Sequence, residues 1–125
     1  KTHAPLRVAA SLIGDEVRLS DRCCGEAGTL GTARPDIANQ LRFRKQEELT
    51  AGIRDLTGGE RVDRGEVKLL TACPACQQGL ARYADDTGLQ TDYIVVELAR
   101  RMLGEGWQQR FLAQVQAGGI ERVLL

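Results

Sequence analysis

Four cysteines sit in two tight pairs, and that pairing constrains this chain more than any other feature. Cys23 and Cys24 are adjacent, and Cys73 and Cys76 are separated by Pro74 and Ala75. A disulfide framework would be expected in a shorter chain denser in cysteine, where bridges replace a missing core. At 125 residues this chain can bury a core of its own. Residues Lys1 to Pro5 offer no apolar run of the kind that opens a secretory leader. A reducing, cytoplasmic setting is therefore expected, and there clustered cysteines point to metal or redox chemistry. The first residue is not Met, so the sequence reads as a fragment of a larger protein, forming one domain over residues 1–125.

Composition narrows the function classes. Seventeen basic residues balance seventeen acidic ones. A nucleic-acid binder would need a surplus of cations to displace phosphate counterions, so none is expected as a partner. Unbroken apolar stretches are only a few residues long, which leaves no membrane span. The aromatic residues are scarce, so the core must be built from Leu, Val, Ile and Ala.

The chain reads as alternating helices and strands. Ala4 to Ile13 forms a short helix begun at Pro5, and Glu16 to Asp21 alternates apolar and polar residues as a short strand does. This strand runs into Cys23-Cys24-Gly25, followed by a loop rich in glycine. Pro35 opens a long helix that Thr57-Gly58-Gly59 ends, with an apolar stripe of Ile37, Leu41, Leu49, Ile53 and Leu56 that is imperfect in the middle. After a charged turn over residues 61–65, Val67 to Ala72 forms a second, more apolar and more central strand. A helix from Pro74 stops at Gly88, with Leu80, Tyr83 and Ala84 facing inward. Thr91 or Asp92 caps a helix striped by Ile94, Val95, Leu98, Met102 and Leu103. Trp107, Phe111 and Val115 stripe another helix, and Ile120 to Leu125 reads as a last strand or a chain end. The order implies an α/β fold: a short parallel sheet flanked by helices, with right-handed crossovers.

On this reading both cysteine pairs fall at the carboxyl ends of strands, the edge where open α/β sheets build their sites. If the strands are neighbours, Cys23, Cys24, Cys73 and Cys76 converge as metal ligands. Cys76, in the first turn of its helix, would have its thiolate favoured by free N–H groups and the helix dipole. Gly25 and Gly28 would let backbone N–H groups approach a bound cluster. The bland alternative is that the cysteines only pack, since free Cys is among the most buried residue types. His3 is a possible additional ligand, although a terminal histidine more often faces solvent. Arg100-Arg101 reads as the solvated face of a helix, Trp107 as a core or rim anchor and Glu26 as a solvated loop carboxylate.

These residues resemble a known family. Cys23-Cys24-Gly25-Glu26-Ala27-Gly28, followed about fifty residues later by Cys73-Pro74-Ala75-Cys76, is similar to the cysteine-rich CCG domain. That domain occurs in the B subunit of heterodisulfide reductase, in the iron–sulfur subunits of glycolate oxidase and anaerobic glycerol-3-phosphate dehydrogenase, in lactate-utilisation proteins and at the C-terminus of long FAD-linked oxidases. The resemblance extends from His3 to about Leu103. His3-Ala4-Pro5 matches the family's His-x-Pro-Cys opening, but Leu6 stands where the family has its cysteine. The spacing from Cys24 to Cys73 is longer than the family's, and one motif is present where members usually carry two.

The resemblance implies an iron–sulfur redox module that relays electrons for a flavin-linked oxidase acting on a 2-hydroxy acid. Its partners would be a flavin oxidase domain or subunit and a second redox module, with FAD bound only in another domain. By count, four thiolates suffice for one [4Fe–4S] cluster or one tetrahedral zinc. Two adjacent residues rarely both bind one zinc, because side chains diverge along an extended chain. Two other readings stand beside this: a structural zinc-binding domain, and a thiol–disulfide oxidoreductase using Cys73 and Cys76.

Overall fold

The structure, a computed structural model, describes residues 4–14, 16–26 and 28–118, the side chain of Pro5 excepted. Helix α1 (Ala4–Ile13) is followed by an extended segment, then by α2 (Leu30–Ala33) and the long α3 (Pro35–Thr57). Strand β1 (Lys68–Thr71), helices α4 (Pro74–Ala81) and α5 (Ala84–Thr87), strand β2 (Gln90–Tyr93), and helices α6 (Ile94–Leu103) and α7 (Trp107–Gln116) complete the order. Proline's fixed φ suits the first helical turn, and Pro35 and Pro74 both sit there. Gly58 and Gly88 end α3 and α5 in the left-handed conformation that only glycine adopts without strain.

The α/β expectation holds: β1 and β2 pair in parallel, with Lys68 opposite Gln90 and Thr71 opposite Tyr93. Among the described residues the sheet has two strands, so β1 lies at an edge rather than at the centre. The partner strand is not the expected one. Gln90–Tyr93 (QTDY) is too polar to announce a strand, and its Thr91 and Asp92 read as helix caps. Pairing with the apolar β1 overrides that local preference. The helix from Pro74 also breaks at Arg82-Tyr83 before resuming as α5.

The expected strand over residues 16–21 is absent, and its backbone groups show why. The N–H groups of Asp21 and Arg22 donate to the Glu48 carboxylate at 2.8 and 3.0 Å, so this stretch is satisfied by helix side chains instead of a strand partner. It lies antiparallel along α3. Arg18 pairs with Asp55 at 3.0 Å, Arg22 Nη1 donates to the Arg44 carbonyl at 2.7 Å, and Gly25 packs against Leu41 and Ala38. Seven extended steps from residue 18 to 25 cover about 23 Å. The matching helical stretch from 55 back to 38 covers about 25 Å. The two lengths agree, so the segment runs alongside the helix, bending at Arg22 and again at Gly25.

Leu49, Ile53, Val62, Leu80, Tyr83, Leu89 and Cys24 form the core, with Val67, Leu69 and Cys76 packed against it. The stripe expected for α6 is rotated: Val95, Met102 and Leu103 are exposed, whereas Glu97 is buried. Glu97 is held there by Lys68 of β1 at 2.7 Å, by Arg101 at 3.1 Å and by Arg100, so the arginine pair serves a buried carboxylate rather than a solvated face. Helix α7 buries none of its residues, and Phe111, Leu112 and Val115 are exposed. No helix among the described residues is long and apolar enough to cross a membrane. The expected last strand at Ile120–Leu125 lies outside the described residues, as does part of the single-domain reading over 1–125.

Gly88 is the tightest joint in this packing. Its φ is +78°, and a Cβ there would sit 1.7 Å from the Val62 carbonyl oxygen. Gly88→Ala is therefore expected to cost more than about 2 kcal/mol, as strain plus overlap. Urea unfolding followed by circular dichroism checks this, and an unchanged midpoint would contradict the packing described.

Candidate metal centre

The cysteines grow out of the core. Cys24 is a core residue and Cys76 packs against that core, while Cys23 and Cys73 are exposed beside them. Strand β1 delivers the chain to Cys73, which is the N-cap of α4, and Pro74 starts the helix so that Cys76 falls in its first turn. Cys24 arrives from the opposite side on the segment bound to α3. Although 52 residues apart in sequence, Cys24 Sγ and Cys76 Sγ lie 2.8 Å from each other. The expected convergence of the two pairs is thus seen for Cys24 and Cys76, but only one pair follows a strand. All four are free thiols.

The two thiols of the CxxC motif diverge in character, and in the opposite sense to that expected. Burial, followed by the neighbouring Cys24 and Cys73, pushes the Cys76 thiol up to about 12. Cys73 is held below its ordinary value by the Cys76 N–H, the Cys76 thiol and the Ala75 N–H at the open end of α4. Both N–H groups are among those that the first turn of a helix leaves without intrahelical partners. The thiol favoured as thiolate is therefore the exposed Cys73, not Cys76.

The loop after Cys24 is fixed by close fits. Gly25 has φ +75°, and its N–H donates to Cys23 Sγ at 3.4 Å. Glu26 is not a solvated carboxylate. It pairs with Arg42 at 3.3 Å and Arg82 at 3.1 Å, and lies directly over Gly79 of α4. A Cβ at residue 79 would fall 2.0 Å from Glu26 Cγ. Gly28 has φ +62° but stands in open space at the turn before α2, so nothing places it against the thiols. His3 lies outside the described residues. Trp107 is half-buried on α7.

Among the described residues, no three Cys, His, Asp or Glu side chains stand arranged to hold a metal. Two thiolates on one tetrahedral zinc would sit about 3.8 Å apart, given zinc–sulfur bonds of about 2.3 Å. Cys24 and Cys76 would have to part slightly, and Cys23 and Cys73 to turn inward, before a centre could be held. The donor chemistry fits: four soft sulfur ligands, with the outer two exposed. A cleft of about 630 Å³ opens elsewhere, between α1, residues 16–20, β1 and α6. Leu6 lines this cleft and none of the cysteines does.

Two residues that hold the site were not singled out from sequence. Lys45 is only 3 % exposed, and its ammonium donates to Ser20 Oγ, to the Arg22 carbonyl at 2.7 Å and to Glu48 Oε2 at 2.7 Å. The signal was present: Lys45 occupies the gap in the apolar stripe, four residues from both Leu41 and Leu49. Partial burial would raise the Glu48 carboxyl, but Lys45, the Arg22 N–H, the Ser20 hydroxyl and the Asp21 N–H bring it down to about 2.

With this geometry in hand, comparison with known proteins gives two likenesses. Residues 81–125 match a family model described as a domain of unknown function (DUF3400). An uncharacterized iron–sulfur protein of Methanococcus maripaludis is 26% identical over 87 residues, which cover 66% of this chain and 15% of that protein. The chain thus spans a small part of that relative's length. No solved structure matches.

The Glu48 contacts generate a prediction. Its carboxyl ionises more readily in the folded chain than at its ordinary value of 4.5. The stabilisation is present above pH 4.5 and lost as the pH falls towards 2. It amounts to roughly 3 kcal/mol at neutral pH. Glu48→Gln should lower stability by about that order at pH 7 and flatten the acid limb. Glu97 and Asp36, also held low, leave the variant some residual slope. Denaturant unfolding of both proteins between pH 2 and 7 checks it, and parallel acid limbs would contradict the role given to Glu48.

Proposed function

We propose that this chain is an iron–sulfur redox module, with Cys23, Cys24, Cys73 and Cys76 as ligands of one centre. The observation that carries this reading is the meeting of Cys24 and Cys76 at 2.8 Å from separate sequence motifs. The named iron–sulfur character of the Methanococcus relative supports it, as does the CCG-type pattern of residues 23–28 and 73–76. A [4Fe–4S] cluster suits the adjacent Cys23 and Cys24 better than zinc does, because several irons can accept ligands that diverge. Bound here, such a cluster would accept and release single electrons.

The chain's own residues have the complementary tasks. Cys24 and Cys76 anchor the centre to the core, and Cys23 and Cys73 close it from the solvent side. The Gly25 N–H, directed at Cys23 Sγ, would stabilise negative charge on a ligating sulfur. The larger assembly would couple this module to a flavin oxidase domain or subunit that oxidises a 2-hydroxy acid such as lactate or glycolate, and to a second redox module. FAD would reside outside these residues, and the setting would be cytoplasmic.

Thiol–disulfide exchange is the second reading, favoured by the exposed Cys73 with its lowered pKa at a strand–helix junction. An insulin-reduction assay separates the two, and absence of turnover removes it.

Anaerobic reconstitution with iron and sulfide is expected to give stoichiometric iron and acid-labile sulfide, with an EPR signal on reduction. Serine substitution at Cys24 or Cys76 should abolish that loading. Folded protein that takes up neither iron nor sulfide would overturn the proposal.

A further inference from the structure

We propose that Cys24 and Cys76 form a reversible disulfide when the centre is empty, and that this bond closes the site to metal. The first half of the proposal stands on geometry alone. The sulfurs are 2.8 Å apart and need approach by less than an ångström to reach the disulfide length of about 2.05 Å. The second half rests on the function proposed above, because the bond would consume two of its four ligands.

Position selects this pair. Both thiols belong to the packed interior around Leu49, Leu80 and Tyr83, so the same core contacts that would seat a centre also hold them together when it is absent. Cys24 is buried and Cys76 half-buried, so an external oxidant first meets the exposed Cys73, which is in contact with Cys76. Cys23 is exposed, its Sγ accepting from the N–H of Gly25, and Cys73 is exposed at the N-cap of α4, so neither is held in the packed interior.

The oxidant is a small disulfide of the glutathione class. The exposed Cys73 thiol loses its proton to solvent and attacks one sulfur of glutathione disulfide, forming a mixed disulfide and releasing one glutathione thiolate. Cys76, deprotonated in turn, attacks the Cys73 sulfur and expels the second glutathione. Cys24 then attacks the Cys76 sulfur, forming the Cys24–Cys76 bond and returning Cys73 to its thiol. With Cys73 replaced, the half-buried Cys76 makes the first attack itself and reaches the same product more slowly. Two thiols are oxidised, one glutathione disulfide is reduced to two glutathione molecules, and the protons balance. A thiol reductant reverses the sequence.

The test uses the full chain, purified anaerobically and equilibrated with glutathione disulfide before alkylation and tryptic digestion. Cys24 lies in the peptide of residues 23–42 and Cys76 in that of residues 69–82. The expected product is those two peptides joined, with free thiols falling from four to two. Cys23→Ser and Cys73→Ser should keep the joined product, whereas Cys24→Ser and Cys76→Ser should lose it. Oxidised protein should take up no iron until reduced. A bond confined within peptide 69–82, persistent glutathione adducts, or four free thiols would each overturn the inference. If reduced protein binds iron but never forms the joined product, this inference fails and the proposed function stands. If the joined product forms but reduced protein binds no iron, the pairing stands and the proposed function fails.

Discussion

Lys45 is a cation on the buried face of a helix, and the arrangement of the cysteines depends on how its charge is met. An ammonium group taken out of water costs several kcal/mol unless each of its donors finds a partner. Here all three do: Ser20 Oγ, the Arg22 carbonyl and the Glu48 carboxylate. Glu48 in turn accepts from Ser20 and from the Asp21 and Arg22 N–H groups. The pair therefore does for residues 20–22 what a neighbouring strand would do in a sheet. It also fixes where the chain stands when it reaches Cys23 and Cys24.

From that anchor the site follows with little freedom. Gly25 turns the chain against Leu41, and Glu26 is clamped between Arg42 and Arg82 above Gly79. These contacts press the cysteine loop onto α4 from one side, while β1 and Pro74 present Cys76 from the other. The result is a graded environment for sulfur. Cys24 lies in the core, Cys76 packs against it and two thiols are open to solvent, and burial of Cys76 and the N–H groups at the start of α4 drive Cys76 and Cys73 apart in acidity.

Much of this was legible in the residues. Pro35, Gly58, Pro74 and Gly88 mark helix ends by backbone chemistry that no tertiary contact needs to override, and the boundaries drawn from them hold. The apolar run VKLLTA likewise forms the expected strand. The errors all fall on polar residues whose place is decided by partners distant in sequence. Val17 and Leu19 alternate as in a strand, yet their segment is bound by Lys45 and Glu48 of α3. Gln90–Tyr93 carries caps in its composition but pairs with β1. Val95, Met102 and Leu103 promised the inner face of α6, but Glu97 takes it because Lys68, Arg100 and Arg101 surround its charge. The cysteine pairing was legible from motif and order, but for Cys24 the route was wrong. It reaches Cys76 along a helix, not from the end of a strand. The Lys45 anchor was legible only as an imperfection in the stripe of α3.

The central claim is that cysteine sulfur from both motifs meets at a single centre. Iron K-edge X-ray absorption on the anaerobically reconstituted chain tests it most directly. The account predicts a first coordination shell of sulfur alone, with iron–iron scattering beyond it that disappears in the Cys24→Ser and Cys76→Ser proteins. A shell of oxygen or nitrogen donors without iron–iron scattering, in protein that remains folded, would contradict it.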